Sequence, residues 1–269
     1  MNGPRMHEPR KIAGDTWILP ASLPVPGAGL LSVNAYLIDG REPILIDTGM
    51  LGLRDDFMRA VRSVIAPAEL RWIWITHADP DHVGNLMPIL AEAPQARVVT
   101  SFLGFGKLGL LGHDIPNVHL LNPGQTLDAG GRTLVSVAPP AFDAPETAGA
   151  FDPDTQFFFS ADCFGALLHE PAESAMDIAP DTLREGLVTW STVDSPWLHR
   201  IDHKAFDQSL AAVRDLNPKA ILSGHLPPAF GMTDTLLAHL AAAPNAQPFV
   251  GPDQDAFEQM MAGMLTENA

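Results

Sequence analysis

Thr76-His77-Ala78-Asp79-Pro80-Asp81-His82-Val83-Gly84-Asn85 follows the apolar run Trp72-Ile73-Trp74-Ile75. Four side chains able to ligate a metal, His77, Asp79, Asp81 and His82, fall within six residues. The run reads as a buried strand that delivers them to a loop, with a helix expected from Val83 to Ala93. Pro80 is expected to hold the loop out of helix, because it restricts the residue before it and removes a backbone donor. Burying such a cluster is costly unless a cation neutralises its carboxylates. The bland alternative is a solvated acidic turn with incidental histidines, and the density of ligands after an apolar strand argues against it.

The rest of the composition narrows the class. In 269 residues, 46% are apolar, enough for a sizeable core. The charge is lopsided, with 16 basic against 32 acidic side chains and a net of −16. That balance argues against nucleic acid or an anionic membrane as the main partner, because both need a basic face. The single cysteine, Cys163, excludes an intramolecular disulfide and a zinc finger. Its expected role is that of a small buried hydrophobe. No signal-like core or membrane-length apolar run is visible, so the expected location is the cytoplasm.

Strands are expected at Leu30–Ile38 and Pro43–Ile46 around an Asp39-Gly40 turn, and at Arg71–Thr76 and Arg97–Thr100. In the second half they are expected at Thr126–Leu127, Arg132–Ala138, Gln156–Ser160 and Lys219–Ser223. Helices are expected at Leu53–Ile65, from Asp181, over His199–Leu216, at Thr233–Ala243 with Thr233 as N-cap, and from Asp253. Residues 1–14 read as a loose polar lead and 15–269 as a single domain. Strands followed by helices in two halves, parted near Gln125, predict two mixed sheets packed together with helices outside.

Three further strand ends carry candidate ligands. Asp162 follows Phe157-Phe158-Phe159-Ser160-Ala161, His225 follows Ile221-Leu222-Ser223-Gly224, and Asp143 follows the strand ending near Pro140. His199 and His203 sit four apart, but no apolar strand delivers them and no third ligand is evident. His169 is close enough to Asp162 in sequence to reach the site. Phe164, Trp190 and Trp197 are candidates to wall it.

The pattern His77-x-Asp79-x-Asp81-His82, then Asp162, then His225, resembles the metallo-β-lactamase superfamily, with Asp47-Thr48-Gly49 and Ser223-Gly224-His225 as supporting features. The likeness covers roughly residues 15–240. It implies a four-layer αββα sandwich, an α/β fold, with a two-metal site at its edge. The superfamily's hydrolases carry His-x-His-x-Asp-His, whereas Asp79 is a carboxylate. The flavodiiron proteins carry His-x-Glu-x-Asp-His. Ser160-Ala161-Asp162-Cys163-Phe164-Gly165 is similar to their Ser-Asn-Asp-x-Phe-Gly, and Phe142-Asp143-Ala144-Pro145-Glu146-Thr147 to their Leu-His-Trp-Pro-Asp-Ser. The family's glutamate and one histidine thus fall on Asp79 and Asp143.

By this resemblance His77, Asp79 and Asp143 hold one metal, Asp81, His82 and His225 the other, and Asp162 bridges them. Asp47 and Thr76 lie behind the ligands, where Asp47 either orients a histidine or caps the following helix. The carboxylate-rich set favours iron or manganese over zinc. Four aspartates against two divalent ions leave a neutral inner shell, which favours redox chemistry over hydrolysis. The expected function is a diiron protein that binds or reduces dioxygen or a related diatomic. No FMN domain is expected in this chain, so electrons would come from a separate donor protein, and a homodimer is compatible with this reading. The rivals are a metal-dependent hydrolase of a small ester, thioester or phosphoester, and a degenerate member that binds a ligand without catalysis.

Overall fold

Alternation along short apolar strands sets the layers. Ile44, Ile46, Trp72 and Trp74 point into one cluster with Phe157, Phe159, Ala220 and Leu222, while Leu45 and Ile73 point into a second with Phe57, Val61 and Leu86. Phe158 and Ile221 point into a third with Leu187, Phe206 and Leu236. Successive strand residues face opposite sides, so a run buried on both faces reads as continuously apolar. The result is two sheets face to face with helices on each outer side.

The computed structural model describes residues 3–267, the side chains of 261 and 264–267 excepted. The first half runs β1 (Arg5–Met6), β2 (Arg10–Ala13), β3 (Thr16–Val25), β4 (Gly29–Ile38), β5 (Ile44–Ile46), α1 (Arg54–Val64), β6 (Trp72–Trp74), α2 (Pro80–Val83), α3 (Leu86–Glu92), β7 (Arg97–Thr100), α4 (Phe102–Leu110) and β8 (Val118–Leu120). The second runs β9 (Thr126–Ala129), β10 (Arg132–Val137), β11 (Gly149–Asp152), β12 (Phe157–Phe159), β13 (Leu167–Leu168), α5 (Pro180–Asp194), α6 (His203–Leu216), β14 (Ala220–Leu222), β15 (Ala229–Phe230), α7 (Thr233–Ala242) and α8 (Gln254–Glu267). The first sheet is ordered β1-β3-β4-β5-β6-β7-β8, with β2 on β3 and β13 on β4, and the second β15-β14-β12-β11-β10-β9. Strands β5, β6 and β7 are parallel in one sheet, and β12 and β14 in the other. Their C-terminal ends therefore emerge together, which brings the loops after β5, β6, β12 and β14 to one edge.

Several expectations change. The polar lead is not loose: β1 and β2 both pair with β3, because edge pairing needs backbone groups rather than apolar side chains. Pro80 does not keep its loop out of helix. It opens the short helix α2 at its first turn, where a missing N–H costs nothing. The helix expected over His199–Leu216 is broken: a short 3₁₀ segment, Pro196–Arg200, precedes α6, whose N-cap Asp202 accepts a hydrogen bond from Ala205 N at 2.9 Å. His199 and His203 thus sit on different elements. Thr233 is the first residue of α7, and its hydroxyl bonds Pro218 O instead of capping.

Gly84, after α2, fixes how closely the ligand loop meets the corner after β5. Its N–H donates to Gly49 O at 2.9 Å, and a Cβ there would lie 2.2 Å from Leu51 N and 2.5 Å from Gly49 O. Backbone cannot yield as a side chain does. Gly84→Ala is expected to lower stability by about 1–3 kcal/mol, the usual overpacking cost, in urea unfolding. An unchanged midpoint and slope would contradict this packing.

Candidate metal centre

His77 stands three residues beyond β6 and is fully buried; Asp79 and Asp81 flank Pro80, and His82 lies inside α2. Asp162 sits on a tight turn after β12, between Ala161 (φ 53°) and Phe164 (φ 65°). Two non-glycine residues in the left-handed region cost of order 1–3 kcal/mol each and persist only where surroundings enforce them. The enforcement is visible: Ala161 O accepts from Gly224 N at 2.8 Å and from the Ser223 hydroxyl at 3.2 Å. The Asp162 turn and the His225 loop are therefore one unit. Strand β4 locks that unit to the first sheet, with Asn34 Nδ2 donating to Leu226 O at 2.8 Å and Tyr36 Oη to Ser223 O at 2.7 Å.

The three imidazoles are oriented from behind. Asp47, itself at φ 59°, accepts from Thr76 N at 2.9 Å, from the Thr76 hydroxyl at 2.8 Å, and from His82 Nδ1 at 2.9 Å. Since the Thr76 hydroxyl donates to Asp47, its oxygen accepts from His77 Nδ1 at 3.1 Å. His225 Nδ1 donates to Ser32 O at 2.7 Å. Each neutral ring therefore carries its hydrogen on Nδ1 and turns an Nε2 lone pair to the centre. Asp47 orients His82 rather than capping α1, whose N-cap is Leu53.

At the centre the donors crowd together. Asp162 Oδ1 lies 3.0 Å from His82 Nε2 and 3.1 Å from His225 Nε2, and Asp162 Oδ2 lies 3.4 Å from His77 Nε2. Asp81 Oδ2 is 3.6 Å from the Nε2 atoms of both His82 and His225. Yet His77 Nε2 and Asp162 Oδ1, both buried, make no hydrogen bond of proper geometry. Lone pairs that converge on one another without bonding fit a cation between them. Ligand atoms of His77, His82 and Asp162 lie within 4.8 Å of one another; so do those of Asp81, His82 and His225, and those of His77, Asp79 and Asp143. All seven side chains singled out in the sequence are thus brought to one place. Nitrogen donors flank an anionic centre, and the set fits two cations sharing Asp162.

The two ends of the centre differ. Around Asp81, His82 and His225 the ligands are enclosed, and Trp190 lies against the His225 ring at 4.7 Å with its Nε1 donating to Asp162 O at 3.2 Å. Gly165 is what lets that indole in, since a Cβ there would be 2.5 Å from Trp190 Nε1. At the other end Asp143 is exposed, and Asp79 is shared with Lys107 of α4, whose Nζ is 3.2 Å from Asp79 Oδ1 and 2.6 Å from Oε1 of the buried Glu146. A fourth carboxylate, Asp194 at the end of α5, comes within 4.8 Å of Asp143 and Asp162. Lys107 and Asp194 have no motif or spacing that marks them in the sequence; Glu146 lies in the Phe142–Thr147 stretch, where the sequence singles out only Asp143.

Of the other residues considered, Phe164 and Cys163 belong to the helix-side core of the second sheet, and burial pushes the Cys163 thiol up. Trp197 bonds Phe142 O and does not touch the histidines. His169 is exposed, with no place in the cluster.

The fold and site define a protein of the metallo-β-lactamase-like class with a candidate dinuclear metal centre. Residues 31–225 match the family model described as "ODP family beta lactamase", and the chain belongs to that family. It is 30% identical over 142 residues to the flavo-diiron protein FprA2 of Clostridium acetobutylicum, covering 52% of this chain and 36% of that protein. It is 32% identical over 136 residues to the anaerobic nitric oxide reductase flavorubredoxin of Salmonella arizonae, covering 50% and 28%. The rubredoxin oxygen:oxidoreductase of Desulfovibrio gigas shares the fold, with a TM-score of 0.79 at 20% identity over 90% of this chain and 63% of that one. The chain thus spans about a third or less of the length of the two curated relatives it matches here.

Without cations, protons answer the anionic charge. Burial works most strongly against a charged ring, but the carboxylates around it, Asp162 first and then Asp81 or Asp47, together prevail, so His77 and His82 are raised and His225 is raised to about 9. Burial would likewise raise Asp162, but His225, His77 and His82 hold it well below the usual carboxylate range. At neutral pH the His225 ring, raised to about 9, carries a proton that must leave before its Nε2 can ligate. Manganese(II) binding is therefore expected to release protons at about pH 7, to tighten as pH rises, and to level off above about pH 9. Calorimetry in buffers of different ionisation enthalpy measures this. A pH-independent affinity without proton release would contradict it.

Proposed function

We propose that the chain is a dinuclear iron protein that binds or reduces a small diatomic, dioxygen or nitric oxide, drawing electrons from a separate redox protein. The observation that carries this reading is the set of three Nε2 lone pairs and the unbonded Asp162 carboxylate, held in a carboxylate-rich shell. A shell weighted to oxygen donors suits iron or manganese better than zinc. Support comes also from the relatives, whose names describe a flavo-diiron protein and a nitric oxide reductase.

In this reading His82, His225 and Asp81 hold one iron, His77 and Asp143 the other, and Asp162 joins them. Iron bound there in the reduced state would supply the electrons, one per ion, for reaction with a diatomic. The residues do the rest. Asp47 fixes His82 and, through Thr76, His77, so that neither ring can turn away when the charge at the centre changes. Trp190 packs the His225 side and keeps water from it. The exposed Asp143 end leaves the route by which a small molecule enters. No helix among the described residues is long and apolar enough to cross a membrane, and the cytoplasm is the proposed location.

Protein produced with ample iron and limited zinc is expected to hold two irons per chain and to show a visible charge-transfer band that changes on oxygen exposure. Asp162→Ala is expected to lose both irons, while Asp47→Ala weakens binding about 10–100-fold, the usual cost of losing a partner behind a ligand. Two zinc ions together with hydrolysis of a generic ester would overturn the redox reading. Full iron retention in Asp162→Ala would overturn the bridged centre.

A further inference from the structure

The cation position nearer the surface has one ligand too few and one carboxylate too many. Asp79 offers a ligand atom beside His77 and Asp143, but it is also the residue that a lysine engages. Its Oδ1 is 3.2 Å from Lys107 Nζ, and Lys107 is held at 2.6 Å by Glu146. Glu146 is buried, at 4% exposure, so withdrawing Lys107 would leave a buried carboxylate with no cation. Lys107 therefore stays, and Asp79 spends its charge on the ammonium.

Asp194 is the carboxylate in excess. It is half-buried beside Asp143 and Asp162, all three offering ligand atoms within 4.8 Å of one another. Among the described residues its hydrogen bond comes from the adjacent Ser195 hydroxyl at 2.9 Å, and no lysine or arginine pairs with it. Nor is its placement loose. Trp190, one helical turn earlier on α5, donates to Asp162 O at 3.2 Å and packs on His225. Residues four apart share a helix face, so the turn that anchors Trp190 to the Asp162 loop also presents Asp194 to it. Within that group of carboxylates Asp162 is 5% exposed and its Oδ1 has no hydrogen-bond partner, and the fully buried, unbonded His77 Nε2 lies 3.4 Å from Asp162 Oδ2.

We propose that Asp194 is a metal ligand, supplying to the outer cation position, with His77, Asp143 and Asp162, the carboxylate that Asp79 gives up to Lys107. The inference rests on the dinuclear reading above. As ligands, Asp81, Asp143, Asp162 and Asp194 set four carboxylates against two divalent ions, while Asp79 and Glu146 share the single charge of Lys107. It also makes α5, and not only the strand-end loops, part of the cage.

The test uses the full chain, stripped of metal, titrated anaerobically with iron(II) and, separately, manganese(II). Calorimetry reads the stoichiometry, and thermal unfolding of each variant with and without metal reads folding. The wild type is expected to bind two ions. Asp194→Asn is expected to keep one at unchanged affinity and bind the other more than about tenfold more weakly. Metal-free Asp194→Asn should melt no lower than the wild type, because the change removes a carboxylate crowded by like charges; the added stabilisation by metal should shrink. Asp79→Asn is expected to bind two ions within about threefold of wild-type affinity. Two ions bound with wild-type affinity by Asp194→Asn would overturn the inference and leave the dinuclear reading standing, as would loss of an ion from Asp79→Asn but not from Asp194→Asn. A wild type that binds no ion, or binds as Asp162→Ala does, would overturn the dinuclear reading and the inference with it.

Discussion

One buried carboxylate sets the terms for the rest of the structure. Asp162 is 5% exposed and looks at three imidazole nitrogens at 3.0–3.4 Å. An anion in such a place needs positive charge close by, whether as protons on the rings or as bound cations. Everything around it keeps that need unmet by the protein's own fixed cations. Among the described residues, Lys107 is tied to Glu146 and Asp79 at the outer rim, and no ion pair joins a lysine or arginine to Asp162. The folded chain thus holds a centre whose occupancy depends on what the solvent supplies.

The sheets exist in the right form to hold that centre. Parallel pairs in both sheets send four loops to one edge, and short bonds stitch those loops before any ligand is counted. Asp47 ties the β5 corner to Thr76 and His82; Asn34 and Tyr36 tie β4 to the loop of His225; Gly224 and Ser223 tie that loop to Ala161. Left-handed backbone at Asp47, Ala161 and Phe164 is the local cost of turning these residues inward. The interleaved apolar clusters above and below the sheets supply the stability that sustains it.

The fold and the inner ligands were legible because they coincide with the strongest sequence signals. Strands buried on both faces read as apolar runs, and His77, Asp162 and His225 stand two or three residues beyond the last apolar residue of each. Helices α1 and α7 follow from periodicity. Other parts lacked any such signal. The edge strands β1 and β2 are held by backbone pairing with β3, to which their polar side chains give no clue. The helix break before α6 depends on Asp202 acting as a cap, which the apolar spacing on either side conceals. The pairing of Asp79 with a lysine was not legible, because Lys107 lies 28 residues away in the apolar glycine-rich segment Phe102–Leu110. Asp194 was invisible for a similar reason: a carboxylate at a helix end is commonplace until tertiary packing puts it beside two others.

The central claim is that Asp162 joins two metal ions in the chain. X-ray diffraction from crystals of the iron-loaded protein, with data on both sides of the iron absorption edge, tests it most directly. The account predicts two anomalous peaks on either side of the Asp162 carboxylate, one beside His82 and His225 and the other beside His77. A single peak remote from Asp162, or none in protein shown to contain iron, would contradict it.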